Sequence, residues 1–508
     1  MVSRILSCTV IGLTAVPVHV ELDITSGLPG LTIVGMGDTA IRESRERVVA
    51  ALRNSGYELP PARITVNLAP ADLRKEGSRF DLPIALGILA TLRAFPSAAL
   101  EGFLVMGELS LTGEVVGREP AFPAALLARK AGLLGMILSK EMASEASLVN
   151  ESRPLPVNTL SETAEFLRGR KVLDEVIRPV VRKPDKQPDL SDVSGQAVAK
   201  RALEIAAAGG HNILFMGPPG SGKTMLARRL PGILPRLDME ESMEVSAIHS
   251  IAGLLSPAEG LIDTPPFRAP HHTISHVGLA GGGNSPKPGE ITLAHRGILF
   301  LDEMSEFRRS ALETLRQPLE DRRIVISRAS RSVSFPADFL LAGTTNPCPC
   351  GFLGHETRPC TCSPSAVSKY RRRISGPLMD RIDIVVQVRA LEPGTMIDNV
   401  EGEASGTVSR RVLACRTVQS SRAPGGIPTL NGRLNPDKLK QLCPLSTDHR
   451  QLLEGAMKNL SLTARGYHRV LRVGRTIADL EGEEYPAPEH LAEALQYRPV
   501  LESPITGF

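Results

Sequence analysis

Apolar and polar positions alternate in two registers along the first 176 residues. Period-two runs at Val16–Leu22, Leu31–Val34, Arg63–Leu68 and Phe103–Leu109 predict strands. Helical spacing predicts helices at Ile41–Asn54, Leu82–Leu92, Phe122–Ala131 and Glu162–Leu167. With Gly-rich turns between them, residues 1–176 read as an α/β domain of mixed order. Met1–Val20 has the single Arg and apolar stretch of an export signal, but Thr9, Gly12, Thr14, Pro17 and His19 interrupt it, so it reads as a β-hairpin. Residues 177–190 hold Arg178-Pro-Val-Val-Arg-Lys-Pro-Asp-Lys-Gln-Pro188, whose prolines and basic residues predict an extended linker. Helical patterning resumes at Gly195–Ala208 and leads into a strand, Asn212–Met216. Strands and helices then alternate to residue 395, as in a doubly wound parallel sheet. Residues 396–508 read as a helical domain, with helices at Val408–Arg416, Pro436–Gln441, Thr447–Asn459, Ala464–Glu481 and Pro488–Leu495, and Glu401–Gly406 as a loop.

Hydrophobic residues make up 42% of the chain and charged residues 22%, which excludes wholesale disorder. At about 150 residues per domain, 508 residues predict two to four domains. Aromatics are only 4%, with no Trp, so stacking on bases is not a main mode of binding. The charge of 59 basic against 55 acidic residues excludes a polybasic tail protein and does not by itself point to nucleic acid. No apolar run reaches the ~18 residues of a membrane helix, so no membrane partner is expected. Seven cysteines, four of them clustered, predict a reducing cytoplasm and one metal site.

Gly217-Pro218-Pro219-Gly220-Ser221-Gly222-Lys223-Thr224 fits the phosphate-loop spacing, with an apolar strand before it and a helix, Met225–Leu230, after it. Its backbone N–H groups can close around phosphates, Lys223 can reach the β- and γ-phosphates, and the Thr224 hydroxyl can bind Mg²⁺. About 80 residues on, Ile298-Leu-Phe-Leu-Asp-Glu303 is an apolar strand ending in two carboxylates. Asp302 is placed to hold Mg²⁺ or its water, and Glu303 to polarise an attacking water. A third strand, Phe339–Gly343, ends before Asn346, read either as an amide that senses the γ-phosphate or as a turn former before Pro347. Arg381, ahead of the strand Ile384–Val388, can reach a neighbouring subunit's phosphates, and Arg465 in Ser461-Leu-Thr-Ala-Arg-Gly466 can approach them from a lid; structural salt bridges explain both equally well.

Cys348-Pro-Cys350 and Cys360-Thr-Cys362 can close a tetrahedral, structural Zn²⁺ site just after Asn346, with His355 as a substitute ligand. Arg323–Ser327 and Arg331–Phe335 read as a hairpin with Arg328 in its basic tip, and Leu279–Gly289 as a Gly-rich loop carrying Lys287. Lys369-Tyr-Arg-Arg-Arg373 is the densest basic run, fit either for DNA or for acidic residues at a subunit interface. His271 and His272 read as structural or pore-loop residues rather than metal ligands.

Many segments in one order carry a resemblance. They include Val34-Gly-Met-Gly-Asp-Thr-Ala-Ile-Arg-Glu-Ser-Arg-Glu-Arg47, Phe80-Asp-Leu-Pro-Ile-Ala-Leu-Gly87, Gly107-Glu-Leu-Ser-Leu-Thr-Gly113, Arg268-Ala-Pro-His-His-Thr273, Ala294–Glu303, Asn346-Pro-Cys-Pro-Cys-Gly351 and Ser375–Asp383. Over nearly its whole length the chain resembles the YifB/ComM family of magnesium-chelatase-like AAA+ ATPases. The resemblance implies a Lon-protease-like domain at 1–176, an AAA+ core at 191–395, within which the cysteine spacing places a zinc loop at 346–363, and a chelatase-type helical lid at 396–508. It implies a ring of six copies that uses ATP and Mg²⁺. In such rings a hairpin and an insertion of this kind reach the central pore, which implies Arg328 and Lys287 as candidate DNA contacts, against the alternative of solvated surface charge. Asn346 is then a sensor, Arg381 a finger acting in trans and Arg465 a lid sensor. ComM members are DNA helicases that drive branch migration during natural transformation. The alternatives are a chelatase-like remodelling ATPase or a regulatory scaffold. In the Lon-like domain, Ser78 stands near the expected nucleophile, but no lysine follows Gly107–Gly113 where the base is expected, which implies a domain without protease activity.

Overall fold

The computed structural model describes residues 3–35, 37–117, 119–174, 176, 187–283, 286–328, 331–389, 402–422, 429–459 and 462–498. It divides into two units: residues 1–183 with 243–262, and 184–242 with 263–508. Most of the proline-rich linker, 177–186, lies outside the described residues.

The first unit opens with the expected hairpin. Strands β1 (Ser3–Ile11) and β2 (Thr14–Thr25) pair antiparallel, from Ser3 opposite Leu22 to Ile11 opposite Thr14. Along β2 the alternation works as read, with Val18, Val20 and Leu22 buried. There follow β3 (Gly30–Val34), α1 (Thr39–Asn54), β4 (Arg63–Ala69) and α2 (Asp81–Thr91). The predicted strand Phe103–Leu109 is two strands, β5 (Phe103–Val105) and β6 (Glu108–Leu109), the second pairing with β7 (Val115–Val116). Then come α3 (Phe122–Lys130), β8 (Gly135–Ser139), α4 (Lys140–Ala146), β9 (Pro154–Val157) and α5 (Leu160–Leu167). The large sheet runs β3-β4-β2-β1-β5-β8-β9.

Helix α2 is apolar on every side and buried from Asp81 to Ala90. Gly87 is required there, because a Cβ would run into Leu22 and Ile5. Asp81 is held by the Arg47 guanidinium at 2.7 Å and by the Ser44 hydroxyl. Burial raises its pKa, and those two partners work against the shift.

A second core in this unit gathers Phe122, Met136, Met142 and Ala143 with Ala247, while Met243, Leu255 and Leu261 pack against it. The last four come from far along the chain. Glu145 accepts from the backbone N–H groups of Ala121 and Phe122 at 3.2 and 3.0 Å, and from the Ser250 hydroxyl at 2.5 Å. Burial raises the Glu145 pKa against those bonds.

The second unit begins with α6 (Ala197–Gly209), β10 (Ile213–Met216), α7 (Lys223–Ala227) and α8 (Leu230–Ile233). The helix predicted over Met225–Leu230 is thus two short helices, with Pro231 near the start of the second. Helix α9 (Met239–Ile251) carries the chain into the first unit, and the return passes β11 (Phe267–Arg268), α10 (His276–Ala280), β12 (Gly281–Gly282), β13 (Lys287–Pro288) and α11 (Glu290–Leu293). Then come β14 (Ile298–Leu301), α12 (Arg309–Glu313), α13 (Arg316–Asp321), β15 (Arg323–Arg328), β16 (Arg331–Pro336) and β17 (Leu340–Thr345). Last are α14 (Pro364–Arg371), α15 (Gly376–Met379) and β18 (Ile384–Gln387). The five-stranded sheet, order β11-β14-β17-β10-β18, is parallel throughout.

The helices Ser405–Ser421, Pro436–Leu442, Thr447–Asn459, Ala464–Glu481 and Pro488–Gln496 complete the unit. The first of them begins at Ser405, inside the stretch read as a loop. Their apolar faces join one core with the parallel sheet, including Val412, Val470 and Ile477 with Ile213 and Phe300. Among the described residues no helix is long and apolar enough to cross a membrane.

Candidate functional site

Parallel strands deliver their carboxyl ends to one edge of the sheet, where helices begin. At the end of β10 the phosphate loop turns on Gly220 and Gly222, at φ +77° and +88°, and opens α7. Gly217 admits no side chain, since a Cβ would strike the Val388 carbonyl. Ser221 donates to the Pro218 carbonyl at 2.9 Å and fixes the bend. Lys223 folds back over the loop, donating to the carbonyls of Gly217 and Pro218 at 2.8 and 2.7 Å and to Asn346 Oδ1 at 3.3 Å. Burial lowers its pKa, while Asp302 and Glu303 pull it up.

Strand β14 lies next but one to β10, with β17 between them. This register brings Asp302 to the phosphate loop: Thr224 donates to both of its carboxylate oxygens at 3.1 Å. Thr344, at the end of β17, donates to Asp302 Oδ1 at 2.6 Å, and its Oγ1 accepts the Glu303 backbone N–H at 2.9 Å. Glu303 sits in the left-handed region, φ +51°, where a non-glycine residue is strained, and its side chain is exposed. Lys223, Thr224, Asp302, Glu303 and Asn346 therefore meet at one place. Thr344 had no motif to reveal it; a hydroxyl ending the strand between two motif-bearing strands was the available signal.

Arg381 and Arg465 stand apart from this cluster in their contacts. Arg381 pairs with Glu320 of α13 at 2.5 Å and donates to the Pro377 carbonyl at 2.5 Å, while its buried Nε has no acceptor among the described residues. Arg465 is exposed in the first turn of the helix Ala464–Glu481. One turn later Arg469 is buried and donates to the carbonyls of Met379 and Ile382 at 3.1 and 2.9 Å and to Asp380 at 3.0 Å. It thereby clamps both sides of Arg381, a contact that sequence reasoning missed because its partners lie about 90 residues away.

The sulfurs of Cys348, Cys350, Cys360 and Cys362 lie within 4.8 Å of one another, with Cys348–Cys350 at 3.4 Å and Cys360 at 3.6 Å from both. A tetrahedral zinc with ~2.3 Å bonds sets sulfurs about 3.8 Å apart, so this donor set fits the ion. Backbone N–H groups of Phe352 and Thr361 draw the Cys350 thiol down to about 6. The isolated cysteines go the other way: burial pushes Cys8 up to about 11 and Cys415 and Cys443 up to about 12. The knuckle touches the phosphate loop, for a Cβ on Gly351 would meet the Pro219 ring at 2.6 Å. His355 accepts from the N–H groups of Thr357 and Arg358 and stands outside the sulfur cluster.

The hairpin read from sequence is present, and the stretch read as a Gly-rich loop also pairs with itself. Strands β15 and β16 pair from Arg323 opposite Pro336 to Arg328 opposite Arg331; Ala329 and Ser330 lie outside the described residues. The Gly-rich loop forms β12 and β13, with Gly282 opposite an exposed Lys287. The rings of His271 and His272 lie 4.1 Å apart, and His271 bonds Thr273.

Three family models match consecutive parts of the chain: Subunit ChlI of Mg-chelatase over 20–142, Magnesium chelatase, subunit ChlI over 189–396, and Magnesium chelatase, subunit ChlI C-terminal over 402–498. The chain is 42% identical over 492 residues to the protein YifB of Salmonella typhimurium, and 44% identical over 497 residues to Competence protein ComM of Haemophilus influenzae. Both matches cover 96% of this chain and 96% of the relative. The chain belongs to the YifB/ComM family of magnesium-chelatase-like AAA+ ATPases. Lon protease 2 of Bacillus subtilis is a partial match, 27% identical over 203 residues, covering 35% of this chain and 34% of that one. Membership in this family implies ATP as substrate and Mg²⁺ as its partner. The meeting of Lys223, Thr224 and Asp302 suits both.

Proposed function

We propose that this chain is the subunit of an ATP-driven ring that moves along DNA, a branch-migration helicase acting in recombination during natural transformation. The observation that carries the motor is the convergence of Lys223, Thr224, Asp302, Glu303 and Asn346 at the ends of three adjacent parallel strands. The N–H groups of Gly220–Thr224 and the Lys223 ammonium bind the triphosphate. Mg²⁺, when bound, neutralises charge on the β- and γ-phosphates, and Thr224 and Asp302 are the residues to hold it. Glu303 accepts a proton from the attacking water, and Asn346 reports the γ-phosphate to the strand end. Arg381 completes a neighbouring copy's site, which requires its bond to Glu320 to open. Arg465, exposed at the start of its helix, approaches the same phosphates from the lid. Cys348, Cys350, Cys360 and Cys362 hold a structural Zn²⁺ that fixes the loop after Asn346. The cytoplasm, where thiols stay reduced, is the setting.

Two hairpins, one ending at Arg328 and Arg331 and one carrying Lys287, support a DNA-tracking surface that contacts phosphates without base preference. The competence role named for the Haemophilus relative supports the recombination setting. A second reading, remodelling of a protein partner as in magnesium chelatase, draws on the three chelatase family models. A branch-migration assay with three- and four-stranded junctions separates them. Wild type should move the junction with ATP, and Glu303→Gln should bind ATP and DNA but stall. ATP hydrolysis indifferent to DNA, with no junction movement, defeats the helicase reading.

A further inference from the structure

The basic run Lys369–Arg373 found no place in the nucleotide site. Helix α14 explains its spacing. Val367 and Tyr370 point into the core, where burial raises the Tyr370 pKa and the Ser305 and Thr345 hydroxyls beside it pull it back. Ser365, Ser368, Lys369 and Arg372 fall on the opposite face, at i, i+3, i+4 and i+7. That face forms one wall of a cleft of about 760 Å³, and Glu306, Phe307 and Arg309 form the other. Glu306 is neutralised by Arg373 at 2.8 Å. Glu313, next along from Arg309, is engaged by Arg316 at 2.6 Å. Arg309, Lys369 and Arg372 are exposed and have no hydrogen-bond or ion-pair partner for their side chains among the described residues. Arg309 also lies within reach of the Glu313 carboxylate's charge, so the cleft holds two uncommitted cations, a third shared with Glu313, two hydroxyls and a paired carboxylate, a lining that suits an extended anion.

A second cleft, of about 910 Å³, shares Arg309, Ser368 and Arg372 and runs to Thr345 and Asn346. The Ser305 and Thr345 hydroxyls meet at 2.6 Å beneath it. The charged wall is thus continuous with the strand end that carries Asn346.

We infer that this cleft binds the phosphodiester backbone of a DNA strand. Lys369, Arg372 and Arg309 contact successive phosphates, and Ser365 and Ser368 donate to phosphate oxygens. Hydroxyls and cations without hydrogen-bonding selectivity for base edges give sequence-independent binding. Filling the cleft loads α14, and through Tyr370 and Thr345 it bears on Asn346. The site rests on the DNA-motor reading and names a contact outside the two hairpins.

The test compares full-length wild type with Lys369→Ala/Arg372→Ala, using fluorescent oligo(dT) across about 50 to 200 mM salt. Each lost phosphate contact on a single strand removes about 0.7 from the slope of log K against log salt, so the double variant should lose about 1.4. Affinity at low salt should fall roughly tenfold, and stimulation of ATP hydrolysis by DNA should fall with it. Basal hydrolysis and the melting temperature should stay at wild-type values. Adding Arg309→Ala should lower the slope by about another 0.7. Unchanged slope and affinity overturn the cleft while leaving the motor intact. Lost assembly with ATP, seen by light scattering at unchanged slope, also overturns it, because the run then faces a neighbouring copy. If wild type binds no oligo(dT) and its hydrolysis ignores DNA, the motor reading falls and the cleft with it.

Discussion

Each unit of this protein gathers a hydroxyl, acidic groups and cations between a strand and a helix, and the two differ in where the cations are directed. In the ATPase unit Thr224 lies beside Asp302, and Lys223 with the loop N–H groups supplies positive charge for a triphosphate. In the first unit the Ser78 hydroxyl donates to Glu108 at 2.5 Å and its backbone N–H to Glu119 at 3.1 Å. Lys75, three residues earlier, is directed to the Pro70 carbonyl. Acyl transfer builds negative charge on an oxygen near the nucleophile, and two carboxylates facing Ser78 oppose it. Burial raises the Glu119 pKa, with the Arg79 guanidinium pulling it back. A position that resembles a fold's nucleophile does not by itself carry the chemistry.

The largest contrast should come from removing one residue in each unit. Lys223→Ala should abolish nucleotide binding and hydrolysis, whereas Ser78→Ala should leave both intact. Peptide cleavage that survives Lys223→Ala and disappears with Ser78→Ala would instead make the first unit a protease. Next in size is Arg381→Ala, expected to lower turnover about 10³-fold with ATP affinity little changed. Glu320→Ala should keep turnover; if both substitutions only lower the melting temperature together, the pair is a structural salt bridge. Third, Cys350→Ser should release zinc, measured by metal analysis of protein purified without chelator, and weaken hydrolysis through the loop after Asn346. Protein that never held zinc refutes the knuckle.

Two smaller effects belong to the first unit alone. Gly87→Ala should cost about 1–3 kcal/mol by forcing Leu22 and Ile5 apart, read from denaturant unfolding. Glu145 has a raised pKa in the fold, so folding disfavours its charged form relative to its neutral one. The stability it contributes is present at acid pH, below its unfolded pKa, and is lost as pH rises through the higher folded value. Glu145→Gln should flatten that part of the stability curve; an unchanged slope removes Glu145 from the account.

The phosphate loop was legible because its chemistry is local: eight consecutive residues carry the turn, the cation and the hydroxyl. Asp302 was legible from an apolar run with a charged end. Thr344, Glu320 and Arg469 were not, since each acts on a residue that only the sheet order or lid packing brings near. Strand β8 escaped notice for a different reason. All five of its residues are buried, so it shows no alternation. Strand β9 and helix α4 around it were missed with it. The Phe103–Leu109 run read as one strand because periodicity cannot show a change of sheet between Val105 and Glu108.

Nothing in the sequence disclosed that residues 243–262 belong with the first 183. That excursion means the protein has no clean seam. A fragment ending within the prolines after residue 176 lacks the Met243, Ala247 and Leu261 side chains that cover Phe122 and Met142, and leaves them wet. The complementary piece carries the same greasy turn with nowhere to put it. Expressed separately, the two fragments should be sticky and poorly behaved, and only a design that transplants the stray helix along with its host would yield tractable halves.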